Sequence, residues 1–280
     1  MKKRAFLVGI NSYAGAPLQG CVNDVWQMRG LLVPRGFVST MLLDAQATKA
    51  AILAGLRTLL QGLLPGDVAV FHYSGHGSYV PDLGGDEWDR RDEAIVPVDY
   101  AGLREQLITD DELSAALQVG KISPGVNVTL VLDSCFSGTM NRAAPARGQR
   151  REASRFLLHE AAQPVSRLWH PWRRYRGPVW RKLGARVTTG ATGTTGGLLI
   201  ACSGENQYSA DAWIDGAFHG AGTYALAQAM AKAGAGLTPD GAVRAMRLWL
   251  SARGYPQRPG LYGNTALRSS PLFEPLPGVF

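Results

Sequence analysis

The chain has 280 residues, 46% of them apolar and 18% charged, with a formal net charge of +7. This composition is typical of a globular chain with a sizeable core and excludes an intrinsically disordered one. No apolar run reaches the roughly 18 residues of a transmembrane helix, and the first apolar run is too short for a signal peptide. Three distant cysteines, Cys21, Cys135 and Cys202, favour neither a disulfide framework nor a zinc site, so we predict a cytoplasmic protein without a membrane partner.

Short apolar runs alternate with longer helical stretches along the chain. The runs are rich in Val, Leu, Ile and Phe and nearly continuous, which is typical of strands buried on both faces. The predicted strands are Arg4–Ile10, Val38–Leu43, Asp67–Ser74, Asn127–Asp133 and Gly197–Cys202. The predicted helices cover about residues 23–32, 48–63, 110–118, 223–232 and 239–252. This order predicts an α/β domain with a mostly parallel sheet.

Residues 142–196 have no clean helical or strand period, and the sheet pattern resumes after them. The segment is therefore predicted to be an insertion between two strands of one sheet. Residues 142–186 hold 12 basic and 2 acidic residues, a net charge of +10, so the rest of the chain has a net charge of −3. The molecule is thus a mildly acidic domain that carries one basic segment.

Two reactive side chains, His76 and Cys135, directly follow predicted strands and sit in turns rich in Gly and Ser. If the two strands are neighbours, these side chains face each other at the carboxyl edge of the sheet, where parallel sheets bind ligands. A thiol near an imidazole is the minimal set for nucleophilic acyl transfer. The backbone N–H groups of Gly77 and Cys135 are predicted to donate to the developing oxyanion. The alternative interpretation is a buried structural cysteine and a structural histidine.

The two turns read Tyr-Ser-Gly-His-Gly at residues 73–77 and Asp-Ser-Cys-Phe-Ser-Gly at residues 133–138. They resemble the active-site signatures of metacaspases, which are caspase-like cysteine peptidases. Further segments resemble motifs of that family in the same order: residues 9–13, 18–24, 92–99 and 108–113. The resemblance implies a caspase-like three-layer α/β sandwich. It also implies a large-subunit-like catalytic region at 1–141, a linker at 142–196 and a small-subunit-like region at 197–280.

The resemblance implies an endopeptidase in which Cys135 is the nucleophile and His76 the general acid and base. The resemblance further implies cleavage after Arg or Lys. The residue before the cleaved bond is called P1, and a cationic P1 side chain needs carboxylate partners. Asp24 matches a family position in the P1 pocket, although a helix N-cap is its alternative role. The other predicted pocket residues are Asp133, Ser74 and, at the rim, Asp211.

Three carboxylates, Asp92, Asp110 and Asp111, match calcium-ligand positions of the family, and oxygen ligands suit Ca²⁺. Where the family usually has a further Asp, seven residues after the cysteine, this chain has Arg142, and a cation there opposes metal binding. We therefore predict that no cofactor is required and leave calcium activation open. The alternative is that these acids are solvated or cap the helix that begins near Asp110.

The basic linker joins the two halves of the domain, where related enzymes are cleaved during activation. Before cleavage it would lie across the acidic cleft and block it. Its alternatives are a nucleic-acid or membrane contact and an inert insertion. The predicted self-cleavage sites are Arg150, Arg151, Arg173, Arg174, Arg181 and Lys182.

The expected partners are proteins or peptides with Arg or Lys at P1, nucleic acid is not expected, and the resemblance implies a monomer. Two rival functions stay open. One is a catalytically silent caspase-fold scaffold, and the other is a nucleic-acid-binding protein that acts through residues 142–186.

Overall fold

The computed structural model describes residues 1–81, 91–119, 123, 125–135, 152–155, 196–204, 207 and 209–276. Within these residues the strands are β1 (Lys3–Gly9), β2 (Val38–Leu43), β3 (Val68–Ser74), β4 (Gly77–Pro81), β5 (Arg91–Ile95), β6 (Ile108–Thr109), β7 (Asn127–Asp133), β8 (Glu152–Ser154), β9 (Gly196–Ala201), β10 (Ala210–Ile214), β11 (Ala217–Gly220) and β12 (Gly260–Gly263). The α-helices are α1 (Cys21–Leu32), α2 (Lys49–Leu60), α3 (Asp110–Val119), α4 (Ala221–Ala233) and α5 (Pro239–Ala252). Short 3₁₀ turns lie at Val33–Arg35, Asp44–Gln46, Arg104–Gln106, Gly234–Gly236 and Thr265–Leu267.

The central sheet has six strands in the order β12-β9-β7-β3-β1-β2. Its neighbours pair in parallel except for β12, which runs antiparallel to β9. All five predicted strands are members of this sheet, and their bounds differ from the prediction by at most one residue. The predicted α/β fold with a mostly parallel sheet is therefore confirmed. Strands β9 and β12, from the region after residue 196, complete the same sheet as β1 to β3.

Alternate side chains of the central strands enter two apolar cores, one on each face of the sheet. Phe6 and Val8 of β1 belong to the core under α2 and α3, whereas Ala5 and Leu7 belong to the core under α1, α4 and α5. Such a sheet is buried on both faces, which explains why its strands read as continuous apolar runs. Two layers of helices around one sheet make the three-layer sandwich.

Two small sheets at the edges of the domain were not predicted, in the orders β4-β5-β6 and β11-β10-β8. Their strands have two to five residues, too few to give a clear period. Strand β8 comes from the basic linker and pairs with β10. In the part of the chain described here, no helix is both long and apolar enough to cross a membrane.

Candidate active site

The two reactive turns lie side by side because β3 and β7 are neighbours. Their parallel register puts Ser74 opposite Asp133. His76 and Cys135 each follow two residues later, at the carboxyl edge of the sheet. His76 is 2% exposed and Cys135 is fully buried. The structure therefore brings the predicted pair to one edge of the sheet.

Tyrosine hydroxyls and a backbone carbonyl hold the ring and the main chain of His76. Its Nε2 lies 2.7 Å from the carbonyl oxygen of Ala16 and must therefore donate a proton to it. The backbone N–H of His76 donates to the Tyr13 hydroxyl, and the two rings are 4.5 Å apart. In this tautomer Nδ1 carries the lone pair, and no described residue hydrogen-bonds to it. Nδ1 is therefore the ring atom that can take up a proton.

The Cys135 thiol is buried against Ser209, which follows β9 in the chain. The thiol donates to the Ser209 carbonyl at 3.3 Å, and the Ser209 N–H lies 2.5 Å from the sulfur. Burial raises the pKa of Cys135 to about 12, although the backbone groups of Ser209 and Arg155 oppose this shift. Burial lowers the pKa of His76, although the backbone groups of Ala16 and Arg155 oppose this shift. In this arrangement both groups are neutral at neutral pH.

Strand β8 of the linker lies along the free edge of β10 as an added antiparallel strand. Ser154 pairs with Ala210, Ala153 with Asp211, and Glu152 with Ala212. The next residue, Arg155, has a fully buried side chain. Its carbonyl oxygen accepts a hydrogen bond of 2.8 Å from the N–H of Gly77, one of the two predicted oxyanion donors. A linker segment thus lies in the cleft like an extended peptide.

The Arg155 guanidinium is surrounded by the predicted pocket residues. Its Nη2 is 3.0 Å from Asp24 Oδ2 and 3.0 Å from Asp211 Oδ1. Its Nη1 is 2.5 Å from Ser74 Oγ, 3.1 Å from the carbonyl oxygen of Asp133 and 3.8 Å from its Oδ1. The four side chains named from the sequence therefore converge on one arginine. Asp211 is 1% exposed, so it lies inside the pocket and not at its rim as predicted.

Each pocket carboxylate has a second set of partners that fixes its position. Asp24 accepts from the Ser74 hydroxyl at 2.6 Å and from the Gly220 N–H. Asp133 accepts from the Ser209 hydroxyl and, at 2.7 Å, from the N–H of Thr223 in the first turn of α4. A helix N-terminus favours negative charge, so α4 stabilises this carboxylate.

The structure decides against an N-cap role for Asp24. The N-cap position of α1 is Gly20, and Asp24 lies inside the helix with its side chain in the pocket. Burial raises the pKa of Asp24, while Arg155 and hydrogen bonds from His219 and Ser74 oppose the rise. The two N–H groups of Gln19 and Gly20 donate to Asp211, so the turn before α1 also holds a pocket carboxylate.

Sequence reasoning missed two residues of this site, Arg155 and Gly220. A Cβ atom at Gly220 would lie 2.6 Å from both Arg155 Nη1 and Asp24 Oδ2, so a side chain there would fill the guanidinium position. No motif marked Gly220. Arg155 lies within the predicted linker but has no basic neighbour, unlike the predicted cleavage sites, which are pairs of basic residues. One pocket needs only one cation.

Two of the predicted calcium ligands, Asp92 and Asp111, belong to a second acidic cluster that lines another cleft, whereas Asp110 is buried at the first residue of α3. Asp92 forms an ion pair of 3.3 Å with Arg104, so a cation of the chain itself already lies beside this carboxylate. Lys49 and Glu112 pair at 2.6 Å in the same cleft, which has a volume of about 390 Å³. Among the described residues, no three His, Cys, Asp or Glu side chains are arranged to hold a metal ion. The mixed charge of this cleft fits a metal poorly.

Some predicted residues lie outside the part of the chain that the structure describes. These are Arg142 and all of the predicted cleavage sites, namely Arg150, Arg151, Arg173, Arg174, Arg181 and Lys182. Cys21, Cys135 and Cys202 are free and buried, as expected for a chain without a disulfide framework.

The chain is similar to several known proteins. The family model "Metacaspase, peptidase C14 domain" matches residues 3–143. Metacaspase-1B of Aspergillus fumigatus is 34% identical over 258 residues, which cover 82% of this chain and 62% of that protein. Metacaspase-1A of Aspergillus niger is 40% identical over 149 residues, which cover 49% of this chain and 36% of that protein. The crystal structure of protein GSU0716 from Geobacter sulfurreducens has a TM-score of 0.67 at 26% identity and covers 99% of this chain and 100% of its own.

The chain therefore belongs to the metacaspase family of C14 cysteine peptidases. It spans about three fifths of the length of the first of these curated relatives.

Proposed function

We propose that this chain is a cysteine endopeptidase that cleaves peptide bonds after arginine, and that its first substrate is its own linker at Arg155. The observation that carries the proposal is the position of Arg155. Its guanidinium lies between Asp24 and Asp211, and its carbonyl oxygen accepts from the Gly77 N–H. A P1 residue on its way to cleavage needs both contacts, one for recognition and one for the oxyanion.

The chemistry follows from the groups around the Arg155 carbonyl. The sulfur of Cys135 attacks the carbonyl carbon, and its proton moves to Nδ1 of His76. The oxyanion forms where the Gly77 N–H already donates. The C–N bond to residue 156 then breaks, and the leaving amine takes the proton from His76. Water attacks the thioester, which releases the new Arg155 carboxylate and returns the proton to the thiol.

The same contacts make the uncut chain an inhibited form. Strand β8 covers the edge of β10 along which another peptide would bind, and Arg155 fills the pocket. A buried thiol with a pKa raised to about 12 is a poor nucleophile until a change in the site favours the thiolate. Self-cleavage after Arg155 lets the new end leave the pocket, and other arginine peptides then have access.

The step requires no metal or cofactor, since thiol, imidazole and backbone donors supply every role in it. Calcium would act, if at all, on the cleft of Asp92 and Arg104, where the chain provides its own cation.

The proposal is tested by intact-mass spectrometry of the purified wild-type chain and two variants. The wild-type chain should give a fragment that ends at Arg155, together with its complement. Cys135→Ala should remain a single 280-residue chain and lose hydrolysis of arginine peptides by about 10⁴-fold or more, because it lacks the nucleophile.

A matched control is Cys202→Ala, which removes another buried cysteine and should still be cut. Fragments from Cys135→Ala, or a wild-type chain that neither cuts itself nor hydrolyses arginine peptides, would overturn the proposal.

A further inference from the structure

Trp213 is a large aromatic side chain that the site described above does not use. It lies in β10, two residues after the pocket carboxylate Asp211, and it is 55% exposed. Its ring packs edge-on against Phe218, its cross-strand partner in β11, with the ring centres 5.1 Å apart. Its position beside the edge of β10 that pairs with β8 makes it available to a bound peptide.

The register of β8 on β10 shows which part of a bound peptide would meet this ring. With Arg155 as P1, residues P2, P3 and P4 lie opposite Ala210, Asp211 and Ala212. One further pair of the same ladder places P5, the fifth residue before the cleaved bond, opposite Trp213. Directly opposed residues of antiparallel strands have their side chains on the same face, with Cβ atoms about 5 Å apart.

The chemistry of the ring selects the ligand. A tryptophan face attracts a guanidinium more strongly than a phenylalanine or tyrosine face does. This chain already uses that contact, since Arg253 lies 4.0 Å from the ring centre of Trp249 and Arg29 lies 5.6 Å from that of Trp26. In the sequence of the chain's own proposed cleavage site, the P5 residue is Arg151.

We infer that Trp213, supported by Phe218, is a specificity subsite for a basic P5 residue, so that the enzyme recognises two arginines four positions apart. This inference rests on the proposed function, because it uses Arg155 as P1. The preference is additional to the P1 pocket, because one residue of β10, Ala212, lies between Asp211 and Trp213.

The test compares three peptides of the form X-Glu-Ala-Ser-Arg with a fluorogenic leaving group, where X is Arg, Ala or Glu. For the self-cleaved wild-type chain, kcat/KM should be about threefold to tenfold higher with Arg than with Ala, and lower still with Glu. Trp213→Ala should reduce the ratio of Arg to Ala to about 1, and Trp213→Phe should retain part of it. Trp26→Ala, an exposed tryptophan on α1, should leave the ratio unchanged.

An unchanged ratio in Trp213→Ala would overturn the inference while leaving the proposed function in place. If no peptide is hydrolysed, the same peptides carrying a fluorescent label are titrated against the chain with both Cys135→Ala and Arg155→Ala, whose pocket is open. A several-fold tighter Kd for the Arg peptide, lost with Trp213→Ala, would support the subsite. Equal affinities would overturn the inference, and no binding at all would overturn the proposed function with it.

Discussion

Among the residues that the structure describes, two acidic clusters pair with cations of the chain itself, and the two differ in burial. In the P1 pocket, Asp24 and Arg155 have no exposed side-chain surface. In the second cluster, Asp92 is also buried, with a side chain 6% exposed, but its partner Arg104 is 32% exposed and Glu112 is 39% exposed. The charges are alike, but the first cluster is fully desolvated, whereas the second is partly open to water.

This difference in burial bears on how strongly each cluster would interact with a cation. An exposed ion pair contributes about 0 to 1 kcal/mol, because water and salt screen it. A buried charge without its partner costs about 3 to 5 kcal/mol, so the pocket carboxylates need a cation within reach. The proposed pocket would therefore favour a cationic side chain, whereas the cations of the second cluster are partly solvated.

The largest expected effect is on the buried cluster. Asp24→Asn removes one charge from the pocket while keeping an acceptor for the Gly220 N–H. We expect kcat/KM for arginine peptides to fall by about 10²- to 10³-fold, which corresponds to breaking a buried ion pair. Asp92→Asn, in the second cluster, is the matched control and should change kcat/KM by less than about twofold, because Asp92 lies away from the pocket. Equal losses in the two variants, with both chains folded by circular dichroism, would refute the comparison.

A smaller effect should separate arginine from lysine at P1. The two terminal nitrogens of Arg155 each contact different acceptors, Nη2 two carboxylates and Nη1 the Ser74 hydroxyl and a carbonyl. A lysine has one nitrogen and leaves some acceptors unpaired, at a cost of about 1.5 to 3 kcal/mol per charged hydrogen bond. We expect arginine peptides to be cut about 10 to 100 times faster than matched lysine peptides.

The chain's own site provides a second measurement of the same preference. Arg155→Lys should slow the appearance of the fragment that ends at residue 155 by a similar factor. Equal rates with the two residues would show that the pocket recognises charge alone.

The smallest effect is expected from removal of calcium. Because Arg104 already pairs with Asp92, a chelator should change the rate of hydrolysis by less than about twofold. The measurement is kcat/KM with EGTA and then with excess Ca²⁺. Complete loss with EGTA and recovery with Ca²⁺ would show that the second cluster binds the ion despite its arginine.

Most of the central sheet could be predicted from the sequence, because strands buried on both faces appear as apolar runs. The turns that hold His76 and Cys135 could be found for the same reason, since each directly follows such a run. The short strands β8 and β10 could not, because three and five residues are too few to show a distinctive period. The edge of β10 that pairs with β8, and with it the place of Trp213, therefore became visible only in the folded chain.

Asp24 and Asp133 were predicted as pocket residues from the family resemblance. The structure adds that both lie beside the guanidinium of Arg155. Asp24 comes from α1, Asp133 from the end of β7 and Asp211 from β10. Nothing in the spacing of these residues shows that their carboxylates converge. Arg155 was missed because its importance comes from Asp211, 56 residues later, and not from its neighbours in the chain.

The sequence by itself determined the sheet, the pair of turns with a histidine and a cysteine, and the opposite charges of the domain and its linker. Only the tertiary structure decided which of the 12 basic residues at 142–186 enters the pocket. The physical reason is that net charge acts at long range and favours any arginine, whereas a buried guanidinium needs acceptors at hydrogen-bond distance on both terminal nitrogens. Packing of α1, β7 and β10 around Gly220 creates that arrangement at one position, and Arg155 occupies it.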